Sequence, residues 1–175
     1  MATLVNNYIF KALDAYPYEL EEAVEALNYA LAYDDKNSTA LLLSGRIQAE
    51  VLKDYEKAKS IYQEALAENV NAIDIYPHYI HTLLCNEDLE EAKRLIDFAL
   101  TVKGSDKAVL YKFKANLFEQ KRKYKKALAM LKQAKIHTYN DDFMYCVERE
   151  EERIKGKMPK EKKSKENKKN KKKKK

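Results

Sequence analysis

His78, His81 and Cys85 stand at i, i+3 and i+7, a spacing that puts all three on one face of a helix. Two imidazoles and a thiolate can bind Zn²⁺ and leave a fourth position open for water or substrate. A working site also needs partners that orient the imidazoles, and the sequence places no carboxylate nearby for that task. Ordinary packing or solvent contact on a helix face accounts for the three residues as well, and the expectation is no metal and no cofactor. The chain has three histidines in all, and its two cysteines, Cys85 and Cys146, do not make a disulfide framework. There is no Gly-rich phosphate loop, no Cys-x2-Cys pair and no Gly-x-Ser-x-Gly elbow. With no convergent acid, base and nucleophile, the chain is not expected to be an enzyme.

The elements that carry these residues follow from composition and periodicity. The chain has 175 residues, of which 45% are hydrophobic, so a real core is expected. Only 3 Gly and 3 Pro are present, too few for the tight turns of a β-sandwich or a nucleotide-binding α/β fold. Enrichment in Ala, Leu, Glu and Lys points to helices throughout. No apolar run approaches the ~18 residues of a bilayer span. The first residues do not read as a secretory signal, so a cytoplasmic location is the default expectation.

Charge divides the chain in two. The net formal charge is +6, but residues 155–175 hold 13 Lys and 2 Glu and carry +11 of it, leaving the body at −5. The tail has no aromatic and no aliphatic side chain larger than Met158, so burial cannot offset the entropy of ordering it. The sequence predicts a folded body over residues 1–155 and a disordered lysine-rich tail over 156–175.

Four segments of the body share one grammar: LEEAVEALNYAL (20–31), YEKAKSIYQEAL (55–66), LEEAKRLIDFAL (89–100) and YKKALAMLKQAK (124–135). Ala23, Ala58, Ala92 and Ala127 recur at 35, 34 and 35 residues, and Ala30, Ala65, Ala99 and Ala134 repeat those intervals. Small residues at the same point of each helix let a neighbouring helix approach closely. Leu27, Tyr62, Ile96 and Leu131 fill the space beside them. A second helical stretch precedes each segment, at roughly 4–15, 39–52, 74–85 and 107–120. Short polar turns at 16–19, 53–54, 86–88 and 121–123 force antiparallel hairpins. Asn37-Ser38-Thr39 and Ser105-Asp106 are candidate N-caps, and Gly104 is a candidate turn residue.

This pattern resembles the tetratricopeptide repeat, a helix–turn–helix unit of 34 residues. Gly45, Tyr55, Ala58, Tyr62 and Ala65 fall near signature positions in the second repeat, with one extra residue between Gly45 and Ala58. Tyr76, Leu83, Leu89, Ala92, Ile96 and Ala99 match in the third. Tyr111, Ala115, Phe118, Tyr124, Ala127, Leu131 and Ala134 match in the fourth. The first repeat is clear only in its second helix, and the signature Trp and the closing Pro are absent. The resemblance covers about residues 4–138. It implies an all-α, right-handed α-solenoid of about four hairpins, closed by a capping helix at 141–155.

The resemblance also implies a concave groove lined by the first helix of each hairpin. It places Tyr8, Ala12, Leu42, Arg46, Ala49, His78, His81, Lys112 and Asn116 there. Lys112 and Asn116 match one pair of the carboxylate-clamp subgroup, whose remaining residues the chain lacks; the plainer reading is two surface residues, since such recognition needs several convergent donors. The acidic run Glu148, Glu150, Glu151 and Glu152 reads as a solvated face of the capping helix. Most of the 13 tyrosines occupy packing positions rather than a base-stacking platform.

The expected function is a non-catalytic scaffold that binds a protein, a peptide or a partner helix in the groove. The alternative is a polyanion-binding accessory protein that meets RNA, DNA or ribosomes non-specifically through the tail lysines Lys168, Lys169, Lys171, Lys172, Lys173, Lys174 and Lys175.

Overall fold

The computed structural model describes residues 2–159, with side chains from Asn6 onward. The seven tail lysines named above lie outside the described residues. Nine α-helices follow one another among the described residues: α1 (Ala2–Ala15), α2 (Leu20–Tyr33), α3 (Ser38–Arg46), α4 (Tyr55–Glu68), α5 (Ile75–Cys85), α6 (Leu89–Ala99), α7 (Lys107–Gln120), α8 (Tyr124–Ile136) and α9 (Asp141–Lys157). There is no strand among the described residues, and no helix among them is long and apolar enough to cross a membrane.

The pairs α1–α2, α3–α4, α5–α6 and α7–α8 are antiparallel hairpins, and each hairpin stacks on the next. All eight periodic alanines are 0% exposed. Leu27, Tyr62, Ile96 and Leu131 are buried beside them. The core is therefore a row of small-residue contacts renewed once per hairpin, as expected of a solenoid whose repeats cannot bury their faces alone. Polar stitches join successive hairpins. The Lys36 ammonium lies 2.8 Å from Glu68, Lys59 lies 2.7 Å from Asp88, and Lys114 lies 2.7 Å from Asp97.

Side-chain caps begin four helices. Asn37 accepts from the Thr39 and Ala40 amides, Asp54 from Lys57, Asp106 from Val109, and Asn140 from Phe143. Each satisfies amides that the first helical turn leaves without partners. Gly104 turns the chain between α6 and α7 at φ 89°. The hairpin turns of the second, third and fourth repeats share one device. Lys53, Glu87 and Arg122 each adopt a left-handed conformation, at φ 57°, 61° and 55°, two positions before the next helix.

Two local features depart from the sequence reading. The helix expected over 39–52 is not α throughout, because α3 passes into a π-helical turn at Ile47–Leu52. That turn absorbs the extra residue of the second repeat: Gly45 and Ala58 are one position further apart than the equivalent Ala115 and Ala127. The acidic run of α9 is also not uniformly solvated. Glu150 and Glu151 keep only 18% and 15% of their side-chain surface. They meet Lys112 of α7 and Lys135 of α8, so ion pairs dock the capping helix alongside its apolar contacts. Val147 and Ile154 supply those contacts together with the half-buried Phe143, while Tyr145 stays exposed.

Candidate functional site

One face of the solenoid is built from α3, the π-turn, α5, α7 and α9, and most of the residues placed in the groove by resemblance converge there. Leu42 is half-buried and packs against the central core. Arg46, one turn later, points to Glu50, with Nε 3.1 Å from Oε1. The Tyr16 hydroxyl donates to the other Glu50 oxygen at 2.5 Å, and His78 Nδ1 lies 3.5 Å from Oε1. The Arg46 guanidinium also covers the Tyr16 ring at 4.8 Å. Glu50 is thus the hub of a network that joins the first three hairpins.

The network is tuned by burial and by charge. Burial and the Glu50 carboxylate together push the Tyr16 hydroxyl up to about 12. Burial raises Glu50, but the hydrogen bonds from Arg46 and Tyr16 outweigh it and leave the carboxyl below its ordinary range. Burial, reinforced by Arg46, holds His78 below the usual imidazole range despite its contact with Glu50. Glu50 was not among the expected groove residues. The i, i+4 spacing of Arg46 and Glu50 was the signal available for it.

Further along the same face lies an open cleft of about 440 Å³. His81, Leu84 and Cys85 come from α5, Phe113, Asn116, Glu119 and Gln120 from α7, and Glu150, Arg153 and Lys157 from α9. Leu84 and Phe113 give the cleft an apolar floor, and Asn116 and Gln120 bring amides to it. Glu119 receives both Arg153 and Lys157, the latter at 2.8 Å. Its carboxyl lies below the ordinary range because these bonds outweigh the burial that would raise it.

The structure divides the His78, His81 and Cys85 set. His81 and Cys85 are neighbours, with Sγ 3.7 Å from Nε2, whereas His78 turns to Glu50. No group of three or more His, Cys, Asp and Glu able to hold a metal ion occurs among the described residues. Four groove residues are committed elsewhere. Tyr8 is stacked on Tyr29 and Tyr33 of α2, with centroids 5.1 and 6.2 Å apart. Ala12 and Ala49 are buried in the core and offer no surface, because close helix approach consumes their methyl groups. Lys112 is held by α9, its ammonium 3.4 Å from Glu150 and 5.7 Å from the Phe143 ring centre. Asn116 alone of the clamp-like pair faces the cleft.

Comparison with known proteins bears on this geometry at the level of architecture. No family model matches the chain, and no curated protein sequence does. A solved structure described as MamA RS-1 ArsTM double mutant is similar, with a TM-score of 0.70 over 89% of this chain and 83% of that one, at 17% identity. The fold is a tetratricopeptide-like solenoid. At that identity the likeness concerns the path of the backbone, and the side chains around the cleft are this chain's own.

Proposed function

We propose that the chain is a non-catalytic interaction scaffold that takes a peptide or a partner helix along its concave face. The observation that carries this reading is the open cleft between α5, α7 and α9, with its apolar floor at Leu84 and Phe113 and amides at Asn116 and Gln120. That mixture suits a segment with an apolar anchor and exposed backbone groups, since a recognition groove needs hydrophobic contact for affinity and a few placed polar groups for register. His81 and Arg46 extend the same face towards the N-terminal hairpins.

Peptides selected from a random display library against the full chain test the proposal. Their affinities are then measured for His81→Glu and for Asn116→Ala with helicity checked by circular dichroism. Both variants should lose most of the binding. Equal affinity for the variants and the parent would reject the concave face as the site.

A second reading, attraction of polyanions through the lysine tail, has its own support on the body. Arg122, Lys123, Lys125 and Lys126 flank Met158 and Pro159, where the tail leaves the last described residue, so the basic surface continues onto the α7–α8 turn. Such binding should fall steeply with salt. Removing residues 160–175 keeps α9 whole, and RNA or heparin binding that survives the removal undiminished would dismiss the tail.

A further inference from the structure

The two ends of the solenoid are finished differently. At the C-terminal end α9 buries Val147 and Ile154 against the last hairpin and leaves Glu148, Arg149 and Glu152 exposed. At the other end α1 presents Phe10 to solvent with 62% of its surface exposed, and Tyr18 after it stands 91% exposed. Between α1 and the start of α2 these two rings and Ala15 line an open cleft of about 620 Å³. The rim is strongly acidic. Asp14, Glu19 and Glu22 border the cleft, and Glu21 and Glu25 continue it along α2. Lys11 is the cation among these lining residues, 3.1 Å from Glu22. Glu19 and Glu22 are crowded enough to share a hydrogen bond, which lifts the Glu19 carboxyl above its ordinary range.

We infer that this outer face of the α1–α2 hairpin is a second docking surface, separate from the concave face, for a segment that carries a bulky apolar side chain flanked by Lys or Arg. The apolar side chain would lie between Phe10 and Tyr18, and the flanking cations would meet five carboxylates offset by one ammonium. Both aromatic faces also favour cations. The charge pattern selects this occupant over others. A polyanion is repelled by the rim. A second copy of the chain, docked face to face, would set one acidic rim against another, since a two-fold contact pairs each patch with itself. The lysine tail supplies cations but no bulky apolar anchor.

Fluorescence anisotropy with the full chain at about 0.15 M salt tests the inference. The probe is a labelled Lys-Lys-Leu-Phe-Lys-Lys peptide, and Lys-Lys-Ala-Ala-Lys-Lys and a peptide of residues 160–175 serve as controls. The probe should bind saturably and at least about 10-fold more tightly than either control. Phe10→Ser with Tyr18→Ser should weaken it by about 10-fold or more. Both residues are exposed, so the fold tolerates the change, and His81→Glu on the concave face should leave binding intact. Absence of saturable binding, equal binding of the controls, or indifference to the Phe10 and Tyr18 changes overturns the inference. So does loss of binding in His81→Glu, which would move the peptide to the other face.

Discussion

Gly45 of α3 lies against the ring of Tyr62 in α4 so closely that a Cβ at position 45 would stand 2.3 Å from Tyr62 Cε1 and within 2.8 Å of two further ring carbons. The equivalent position of the fourth repeat is Ala115, facing the slimmer Leu131. The missing methyl group and the larger ring are two halves of one packing solution.

Gly45→Ala should therefore destabilise the chain by about 1–3 kcal/mol, although alanine favours helices, because the ring must shift within a filled core. Thermal unfolding should fall by about 2–4 °C per kcal/mol. Combining it with Tyr62→Leu should cost less than the two changes added together. Strict additivity would show that the contact does not govern the cost.

The recurring alanines make a parallel prediction. Ala58→Leu or Ala92→Leu inserts three carbons between helices already in contact, and each should cost about 1–3 kcal/mol. A melting temperature unmoved by either change would contradict the burial of these methyl groups.

Glu87 holds a left-handed conformation with an exposed side chain. Glycine adopts that conformation without the steric penalty of a Cβ but leaves a more flexible unfolded chain. Because the first effect is the larger, Glu87→Gly should stabilise by about 0.5–1 kcal/mol. Chemical denaturation of the variant at constant slope checks the sign.

The network around Glu50 makes stability depend on pH in two steps. His78 is depressed below 6.5, so the folded chain holds fewer protons there than the unfolded chain, and stability declines as pH falls through 6.5 towards the folded value. Glu50 is depressed below 4.5, so its contribution is present above that value and is lost on further acidification. Urea midpoints at pH 7.5, 5.5 and 4 should show both declines. His78→Gln should flatten the first and spare the second.

Glu119 pins α9 through Arg153 and Lys157. Glu119→Ala should cost about 1 kcal/mol, a modest figure because both cations are half exposed. The loss should appear as faster amide exchange in residues 141–157 with α5 unchanged. Equal acceleration in both helices would mean that the pair does not act locally.

Much of the architecture was written in residue types that act through size. Ala23, Ala58, Ala92 and Ala127 carry the repeat because any larger side chain would hold the helices apart, and this constraint leaves a periodic trace. The helix caps at Asn37 and Asp106 were legible for a similar reason, since their side chains mimic a missing backbone partner. Lys53, Glu87 and Arg122 gave no warning of their left-handed turns, because those side chains have no preference for that region and the turn is imposed by the packing of the flanking helices. The extra residue before Ala58 was visible, but its resolution as a π-turn depends on which neighbour takes up the slack. Around the cleft and the network beside it, Arg46, His78 and His81 were singled out from the sequence, whereas Glu50 and Glu119 went unremarked. Carboxylates are common on helix surfaces, and only the approach of Tyr16 or Arg153 from another hairpin distinguishes these two.

The order of the helices also has a bearing on synthesis. Each hairpin finds its partners in segments about 34 residues away or nearer, so structure can accumulate while the chain is still emerging from the ribosome. The cleft cannot. Its third wall comes from Glu150, Arg153 and Lys157, which are translated after every other residue that lines it. In a nascent chain the cleft would lack that wall until α9 had emerged and docked.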